Sequence, residues 1–171
     1  MTDLVLPAIL PITAAAPADI EALLDATFGE ARQRRTAYRL REGIAPIADL
    51  SFAAIAGGRL VGTLQSWPIE LRDSSGTTPL ILIGPVAVHP DVQRHGIGHA
   101  LMTRMLAAAE AGSGLPMMLI GDEPYYGRFG FSASPDRQWL LPGPFEPHRL
   151  LVRESPRHPL PLTGTLGPRR G

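Results

Sequence analysis

The sequence predicts an α/β protein with a mixed central sheet and helices on both faces of that sheet. Apolar segments flank the Gly57-Gly58 pair, which is the pattern of an antiparallel hairpin. Further on, a buried strand over residues 80–88, a helix over 96–111 and a strand over 117–120 follow one another. Such a unit requires a parallel, right-handed crossover. The two kinds of pairing together predict the mixed sheet.

The first quarter of the chain predicts one strand and two helices. Residues 9–13 are typical of a strand, and the residues between Pro17 and Gly29 of a helix. The helix is indicated by apolar side chains at helical spacing, namely Ile20, Leu23, Leu24, Thr27 and Phe28. Residues 32–41 predict a short second helix, whose arginine-rich face is either solvated or part of a substrate site.

The remaining elements are read from apolar runs between turn signals. Strands are predicted over residues 50–56, 60–69, 80–88 and 150–152, and a short helix over 122–128. Residues 80–88 are apolar throughout, which is typical of a strand buried on both faces, and Pro85 predicts a bulge within it. Because the end of the chain is rich in proline, we expect one domain over residues 1–154 and an irregular arm or disordered tail over 155–171.

Composition and charge exclude several classes of function. The 16 basic and 16 acidic residues balance, and aromatic residues make up only 6%, which argues against a nucleic-acid surface. Cysteine and lysine are absent, so a thiolate nucleophile, a Schiff-base lysine and a P-loop are excluded. Residues 4–16 resemble a signal peptide in part, but Asp3 precedes them and two prolines interrupt them. We therefore expect a cytoplasmic protein with no membrane segment.

A polar loop and a glycine-marked helix start follow the strand at residues 80–88. Free N–H groups and the helix dipole favour an anion at such a helix start. Gly96 and Gly98 leave space for a phosphate, and Arg94 and His95 add positive charge. Three interpretations remain at this point: a dinucleotide fingerprint, which lacks its third glycine here, a tight turn without a ligand, and an acyl-CoA loop.

Two motifs decide among these interpretations. Gln93-x-x-Gly96-x-Gly98, after a Val-Ala-Val strand and a His-Pro turn, resembles the acyl-CoA pyrophosphate loop of the GNAT superfamily of N-acetyltransferases. Residues 121–131 contain Tyr126 four residues before Gly130-Phe131, and they resemble the second signature of that superfamily. The doubled tyrosine and Trp67-Pro68 are similar to its YhbS-like branch. The resemblance covers roughly residues 8–154.

The resemblance implies a fold, a reaction and a set of residues. The fold is the acyl-CoA N-acyltransferase fold, with about six or seven strands. The reaction is acyl transfer, most simply acetyl from acetyl-CoA, to a small-molecule or peptide amine. Tyr126 would be the general acid that protonates the leaving thiolate. The backbone of one strand and one loop would hold CoA, at Val86, Ala87, Val88, Gln93, Arg94, His95, Gly96, Ile97, Gly98 and His99.

The sequence departs from the family pattern at the general base. Several members place a carboxylate on the central strand, but residues 80–88 contain none. The base is therefore open: a water relay assisted by Glu70, Asp122, Glu123 or a histidine, or a substrate that loses its proton on binding. Asp122 is also expected to cap the helix that follows it. This departure keeps an alternative function open, a non-catalytic module that binds CoA or acyl-CoA as a sensor.

Two further expectations concern metals and assembly. His95 and His99 have the i, i+4 spacing of a metal pair, but no third ligand lies in sequence range, so no metal is predicted. Edge strands make a homodimer plausible, although the sequence leaves the oligomeric state open.

Overall fold

The computed structural model describes residues 6–93 and 95–170, and it confirms the predicted fold class. Arg94 and the first residues of the predicted domain and of the signal-peptide alternative lie outside the described residues. Within them the chain forms four α-helices and eight strands. The helices are α1 (Pro17–Phe28), α2 (Thr36–Leu40), α3 (Ile97–Ala111) and α4 (Glu123–Tyr126). The strands are β1 (Ala8–Pro11), β2 (Phe52–Ala56), β3 (Arg59–Asp73), β4 (Gly76–Val88), β5 (Met117–Ile120), β6 (Gln138–Leu140), β7 (Leu150–Arg153) and β8 (Thr163–Pro168).

The sheet is mixed and mostly antiparallel. Its main order is β1-β2-β3-β4-β5-β7, and β8 pairs with β3 and β6. The β2–β3 and β3–β4 hairpins are antiparallel, and β4 and β5 are parallel on either side of α3, as predicted. Strand β3 is long enough to pair with β2 through its first half and with β8 through its second half.

Helices cover both faces of the sheet. Side chains alternate along β4, so the strand contributes apolar residues to a core on each face. Ile81 and Ile83 belong to the core beneath α3, whereas Leu80 and Leu82 belong to a second core on the opposite face, which includes Leu40 of α2. A third core lies between α1 and the end of β4. Within the part of the chain that the structure describes, no helix has the length and apolarity to cross a membrane.

Strands β4 and β5 separate soon after they pair. Their register contains only Ile81 opposite Met117 and Leu82 opposite Met118, while β4 continues to Val88. The prediction that residues 80–88 are buried on both faces is therefore wrong for the second half of the strand. Residues 80–83 are buried, but 84–86 are half-buried because they face the gap that β5 leaves.

The predicted bulge lies at the start of this gap. Leu64 pairs with Val86 and Ser66 with Ile83, so Gly84 and Pro85 together oppose the single residue Gln65. One extra residue reverses the alternation of the strand. Val86 and Val88 consequently pack on the same core as Ile83, although simple alternation would place them on the opposite face.

The predicted helix over residues 32–41 is interrupted. A 3₁₀ turn over Glu30–Arg34 precedes the single-turn helix α2, and Arg35 between them is extended. This break turns the arginines of the segment in different directions. One of them, Arg32, is 3% exposed and contacts α1, so the segment is not simply a solvated basic face.

The end of the chain also differs from the prediction. We expected an irregular arm or disordered tail after Ser155, but residues 163–168 form β8, which pairs with four residues of β3 and three of β6. Leu166 is 3% exposed in the core that contains Trp67 and Trp139. The Trp139 indole also donates a hydrogen bond to the Pro161 carbonyl at 2.9 Å. The last segment is therefore part of the sheet and of its core.

This packing predicts that the end of the chain contributes to stability. Leu166→Ala should lower the free energy of unfolding by about 2 kcal/mol, because it removes a buried side chain and leaves a cavity. Leu162→Ala is the matched control, since Leu162 is 56% exposed and its replacement should change stability by less than about 0.5 kcal/mol. Urea unfolding followed by circular dichroism measures both. Equal midpoints for the two variants would contradict the burial of β8.

Candidate active site

The gap between β4 and β5 opens into a cavity of about 850 Å³. Its floor consists of the bulged part of β4 and the end of β5, and its walls come from the segment before and within α2, from α4 and from the loop before β7. Its principal lining residues are Arg32, Arg34, Arg35, Tyr38, Arg41, Gly84, Pro85, Val86, Gly121, Asp122, Tyr126, Glu146 and Arg149. The cavity is thus built at the point where the sheet separates.

Of the two adjacent tyrosines in α4, Tyr126 is the one that lines this cavity. It lies in the last turn of α4, and its ring packs edge-on against Tyr125 at 4.8 Å and against Phe131 at 6.4 Å between centroids. The ring also packs closely against the backbone at the end of β5. A Cβ atom at Gly121 would lie 2.6 Å from Tyr126 Cε2, so only glycine permits this position of the ring. Gly121 is a positioning residue that sequence reasoning missed.

The environment of Tyr126 keeps its phenol protonated. Burial raises the pKa of Tyr126 to about 12, and the nearby Tyr125 and Asp122 add to this effect, while Arg149 opposes it. A phenol with this pKa retains its proton at neutral pH. Tyr126 can therefore donate a hydrogen bond or a proton into the cavity, but it is not poised to accept one.

Tyr125 lies outside the cavity and turns toward α3. Its hydroxyl would be 3.0 Å from a Cβ atom built on Gly98. Burial raises the pKa of Tyr125, whereas Arg128 counteracts this. The Arg128 side chain donates to the Tyr125 carbonyl at 3.1 Å and stacks over the Tyr125 ring at 5.0 Å. Arg128 thus anchors this loop through contacts with Tyr125.

Helix α3 begins beyond the C-terminal end of β4, the end that follows the bulge. Gly96 precedes it with φ of 76°, a left-handed conformation that favours glycine. The first intrahelical hydrogen bond runs from Ala100 N to Gly96 O. The N–H groups of Ile97, Gly98 and His99 lie before it in the chain, so they have no acceptor within the helix. Gln93 fixes the start of the loop, because its side-chain amide donates to the Val88 carbonyl at 3.3 Å.

The described residues among those predicted to hold CoA follow one another from the cavity to the start of α3. Val86 lines the cavity, and Val88 is half-buried at the end of β4. The side chains of Ala87 and Ile97 are buried, so only their backbone groups are available to a ligand. The exposed residues on this path are Gln93, His95, Gly96 and His99. Arg94 belongs to the same loop in sequence but lies outside the described residues.

The carboxylates considered as a general base lie in different places. Asp122 lines the cavity and accepts a hydrogen bond from Arg149 Nε at 3.3 Å. Asp122 occupies the N-cap position of α4 as expected, but its side chain makes no capping hydrogen bond to the helix. Glu70 pairs with Arg72 on β3, and Glu123 accepts from the Ala133 N–H at 3.3 Å. Among the described residues, no cluster of three or more metal-ligating side chains occurs.

A substrate site was one of the two interpretations of the arginine-rich segment, and four of its arginines line the cavity: Arg32, Arg34, Arg35 and Arg41. Arg32 donates to Glu21, to Asp25 at 2.9 Å and to the Tyr38 hydroxyl at 2.6 Å. Burial disfavours the charged form of Arg32, but these hydrogen bonds stabilise the charged form more strongly and raise the pKa of Arg32. Its acidic partners come from α1, seven and eleven residues earlier in the chain. The arginine-rich segment gave a signal, but the sequence did not show which of its arginines turn inward.

Comparison with known proteins identifies the family. The family model described as an acetyltransferase (GNAT) domain matches residues 9–134, which is more than half of the chain. The chain belongs to the GNAT acetyltransferase family. The splayed β4–β5 pair, the glycine-marked α3 and Tyr126 therefore lie in a GNAT domain, and the family membership predicted from the two motifs is confirmed.

Two relatives in Streptomyces are named uncharacterized N-acetyltransferases. The protein from Streptomyces avermitilis is 33% identical over 97 residues, 55% of this chain and 23% of its own. The protein from Streptomyces griseus is 38% identical over 88 residues, 49% of this chain and 21% of its own. The chain thus spans less than a quarter of the length of the curated relatives that it matches.

Two solved GNAT structures share the fold. The Escherichia coli protein YhbS, solved in complex with CoA, has a TM-score of 0.70 at 20% identity and covers 99% of this chain and 93% of its own. A GNAT-family acetyltransferase from Brucella melitensis, solved in complex with acetyl-CoA, has a TM-score of 0.58 at 24% identity. It covers 85% of this chain and 94% of its own. At these identities the likeness establishes the fold alone.

Proposed function

We propose that the protein is an acyl-CoA-dependent N-acyltransferase that transfers an acetyl group from acetyl-CoA directly to a primary amine. The observation that carries this proposal is the separation of β4 from β5 after Leu82, which opens a cavity containing the Tyr126 side chain. The same strand leads from that cavity to the N-terminus of α3. A thioester in the gap and a diphosphate at the helix would therefore belong to one extended ligand.

The donor would be held mainly by backbone groups. The N–H groups at the start of α3 and the helix dipole suit a diphosphate. The edge of β4 that faces away from β3 would pair with the pantetheine arm along Val86, Ala87 and Val88. The loop residues Gln93, Arg94, His95 and Gly96 would enclose the phosphates. That two proteins of similar fold were solved with CoA or acetyl-CoA supports this choice of ligand.

The transfer itself needs no covalent enzyme intermediate. The amine nitrogen, as its free base, attacks the carbonyl carbon of the thioester, and a backbone N–H of the bulged strand would stabilise the oxyanion that forms. The carbon–sulfur bond then breaks, and its electron pair leaves with sulfur. Tyr126 donates a proton to this thiolate, while the new amide nitrogen loses one. The products are the amide and CoA.

Asp122 is the best placed of the carboxylates considered as the base. It lines the cavity near Tyr126, whereas Glu70 and Glu123 are engaged elsewhere. It lies on the cavity wall and is held there by a hydrogen bond from Arg149, so we assign it the role of receiving the amine proton through water. The proton that Asp122 receives then passes through the same water to the tyrosinate, so both groups return to their starting forms.

One experiment separates catalysis from sensing. Release of the CoA thiol from acetyl-CoA is followed while pools of primary amines are added, and CoA binding is measured in parallel by calorimetry. An enzyme should release CoA only when a suitable amine is present, with the acetylated amine as coproduct. The sensor alternative, which the missing carboxylate on β4 favours, predicts tight CoA binding and no amine-dependent release from any pool.

A further inference from the structure

The wall of the cavity that faces the bulge is strongly basic. Five arginines line the cavity, against two acidic side chains, Asp122 and Glu146. Two of the arginines have acidic partners, since Arg32 binds Glu21 and Asp25, and Arg149 binds Asp122. Two others, Arg34 and Arg35, are exposed at the rim. The fifth, Arg41, is half-buried and has no acidic partner among the residues that the structure describes.

Arg41 is held between two aromatic rings. Its guanidinium carbon lies 3.7 Å from the centroid of the Tyr38 ring and 4.4 Å from that of Trp67. One nitrogen donates to the Gln65 side-chain oxygen at 3.4 Å. Among the described residues, none of the ion pairs includes Arg41. The stacking fixes the plane of the guanidinium, so the donors along its edges keep a fixed direction.

The surroundings disfavour the charge that Arg41 carries. Burial lowers the pKa of Arg41, and the nearby Arg32 adds to this, while Tyr38 and Glu21 oppose it. The group still remains a cation at neutral pH, because a guanidinium is never deprotonated under such conditions. A partly desolvated cation without a carboxylate partner is costly unless an anion completes it. The missing partner is thus expected to be a ligand.

The position of Arg41 relates this anion to the reacting atoms. The Trp67 indole that Arg41 covers donates its N–H to the Gly84 carbonyl at 2.7 Å. Gly84 lies in the bulge, where β4 begins to border the gap. A single indole therefore separates the guanidinium from the strand along which we propose the thioester lies. A substrate with its anionic group on Arg41 would extend past this indole to bring its amine to the strand.

We propose that the acceptor is a small primary amine that carries a carboxylate, and that Arg41 binds this carboxylate. This inference rests on the proposed acetyltransferase function and assigns its substrate class. A planar carboxylate matches the two parallel donors of a guanidinium. The cavity volume of about 850 Å³ lies in the range for small-molecule ligands, and the acyl arm of the donor must share it. The carboxylate does not react; it orients the amine toward the thioester.

Matched pairs of amines test the proposal on the unmodified protein. Each amino acid is compared with its amide and with its decarboxylated amine, and CoA release gives kcat and KM for each. We expect at least a tenfold higher kcat/KM for the carboxylate, the effect of one charge-assisted contact, and expect it chiefly in KM. Equal or better turnover of the uncharged amines would overturn the carboxylate assignment and leave the acetyltransferase function standing.

Variants then assign the preference to one side chain. Arg41→Gln should remove the preference for carboxylates while CoA affinity, measured by calorimetry, stays the same. Arg41→Lys keeps the charge without the planar fork, so it should recover only part of the preference. Arg104→Gln is the matched control, because Arg104 also lies over an aromatic ring, that of Phe52 at 5.7 Å, and is exposed on α3 outside the cavity. A preference that survives Arg41→Gln would overturn the role of Arg41.

A binding measurement makes the test independent of turnover and of the variants. Calorimetry compares N-acetyl amino acids with their amides as ligands of the protein saturated with CoA. At least tenfold tighter binding of the carboxylate is expected, and equal or undetectable binding of both would overturn the proposal. Absence of CoA release with every amine, together with selective binding of the carboxylate, would instead reject the acetyltransferase function while keeping the carboxylate site.

Discussion

Replacing Tyr126 by phenylalanine is expected to lower kcat by at least about a hundredfold, the usual effect of losing a general acid. The affinity for CoA should change by less than about twofold, which corresponds to under about 0.5 kcal/mol. The ring contacts with Tyr125 and Phe131 depend on the aromatic ring, so the fold and the cavity should keep their shape. Only the proton donor is lost. Steady-state CoA release and calorimetry with CoA measure the two effects separately.

The pH dependence of this loss follows from the raised pKa of Tyr126. A pKa of about 12 means that the donor form is present throughout the neutral and moderately alkaline range. The ratio of wild-type to variant kcat should therefore stay constant up to about pH 10, with no alkaline decline caused by Tyr126. The unfolded chain ionises nearer pH 10, so this group's contribution to stability is present below that pH and decreases as the pH rises toward 12.

Tyr125→Phe is the matched control for Tyr126→Phe. It removes the same atom from the adjacent residue, but the Tyr125 hydroxyl lies at Gly98 on α3, outside the cavity. At saturating acetyl-CoA it should spare kcat, whereas an effect on the KM for acetyl-CoA is compatible with its position. If both variants reduced kcat equally, or if Tyr126→Phe retained full turnover, Tyr126 would not be the proton donor.

The sequence predicted those parts of the fold that depend on local patterns. Helix α3 and strand β5 have apolar periodicity and clear turn signals, and their observed bounds lie within a residue of the predicted ones. Strand β8 has no comparable signal, since Thr163–Pro168 contains one large apolar side chain among small residues and proline. It forms because the second half of β3 offers an unpaired edge, and that is a tertiary effect.

The same distinction applies to the candidate site. The glycine-marked loop and Tyr126 lie within contiguous motifs, so their resemblance to the family could be seen in the sequence. The cavity wall could not, because Arg41 meets Trp67 only when α2 packs across β3, and no spacing rule links residues so far apart. The role of Gly121 is similar, since it depends on where the Tyr126 ring lies rather than on a turn. Motifs indicated the family, and tertiary packing determines which side chains line the cavity.

Replacing Gly96 by aspartate is expected to weaken CoA binding by about a hundredfold, or about 2.7 kcal/mol, whereas asparagine should weaken it only a few-fold. Gly96 has φ of 76°, which both replacements tolerate better than other side chains do, so both incur similar backbone strain. They differ in one negative charge at the start of α3. Calorimetry with CoA measures the difference directly.

The aspartate should affect binding and stability in opposite directions. A negative charge near a helix N-terminus stabilises the helix by about 0.3–1 kcal/mol, so Gly96→Asp should be at least as stable as Gly96→Asn. The same charge repels a diphosphate held by the N–H groups of Ile97, Gly98 and His99. Because the repulsion is electrostatic, the difference in affinity should shrink as salt is raised. Equal affinity of the two variants for CoA at low salt would mean that the phosphates bind elsewhere, because a unit charge about 4 Å away contributes about 4 kcal/mol near a protein surface.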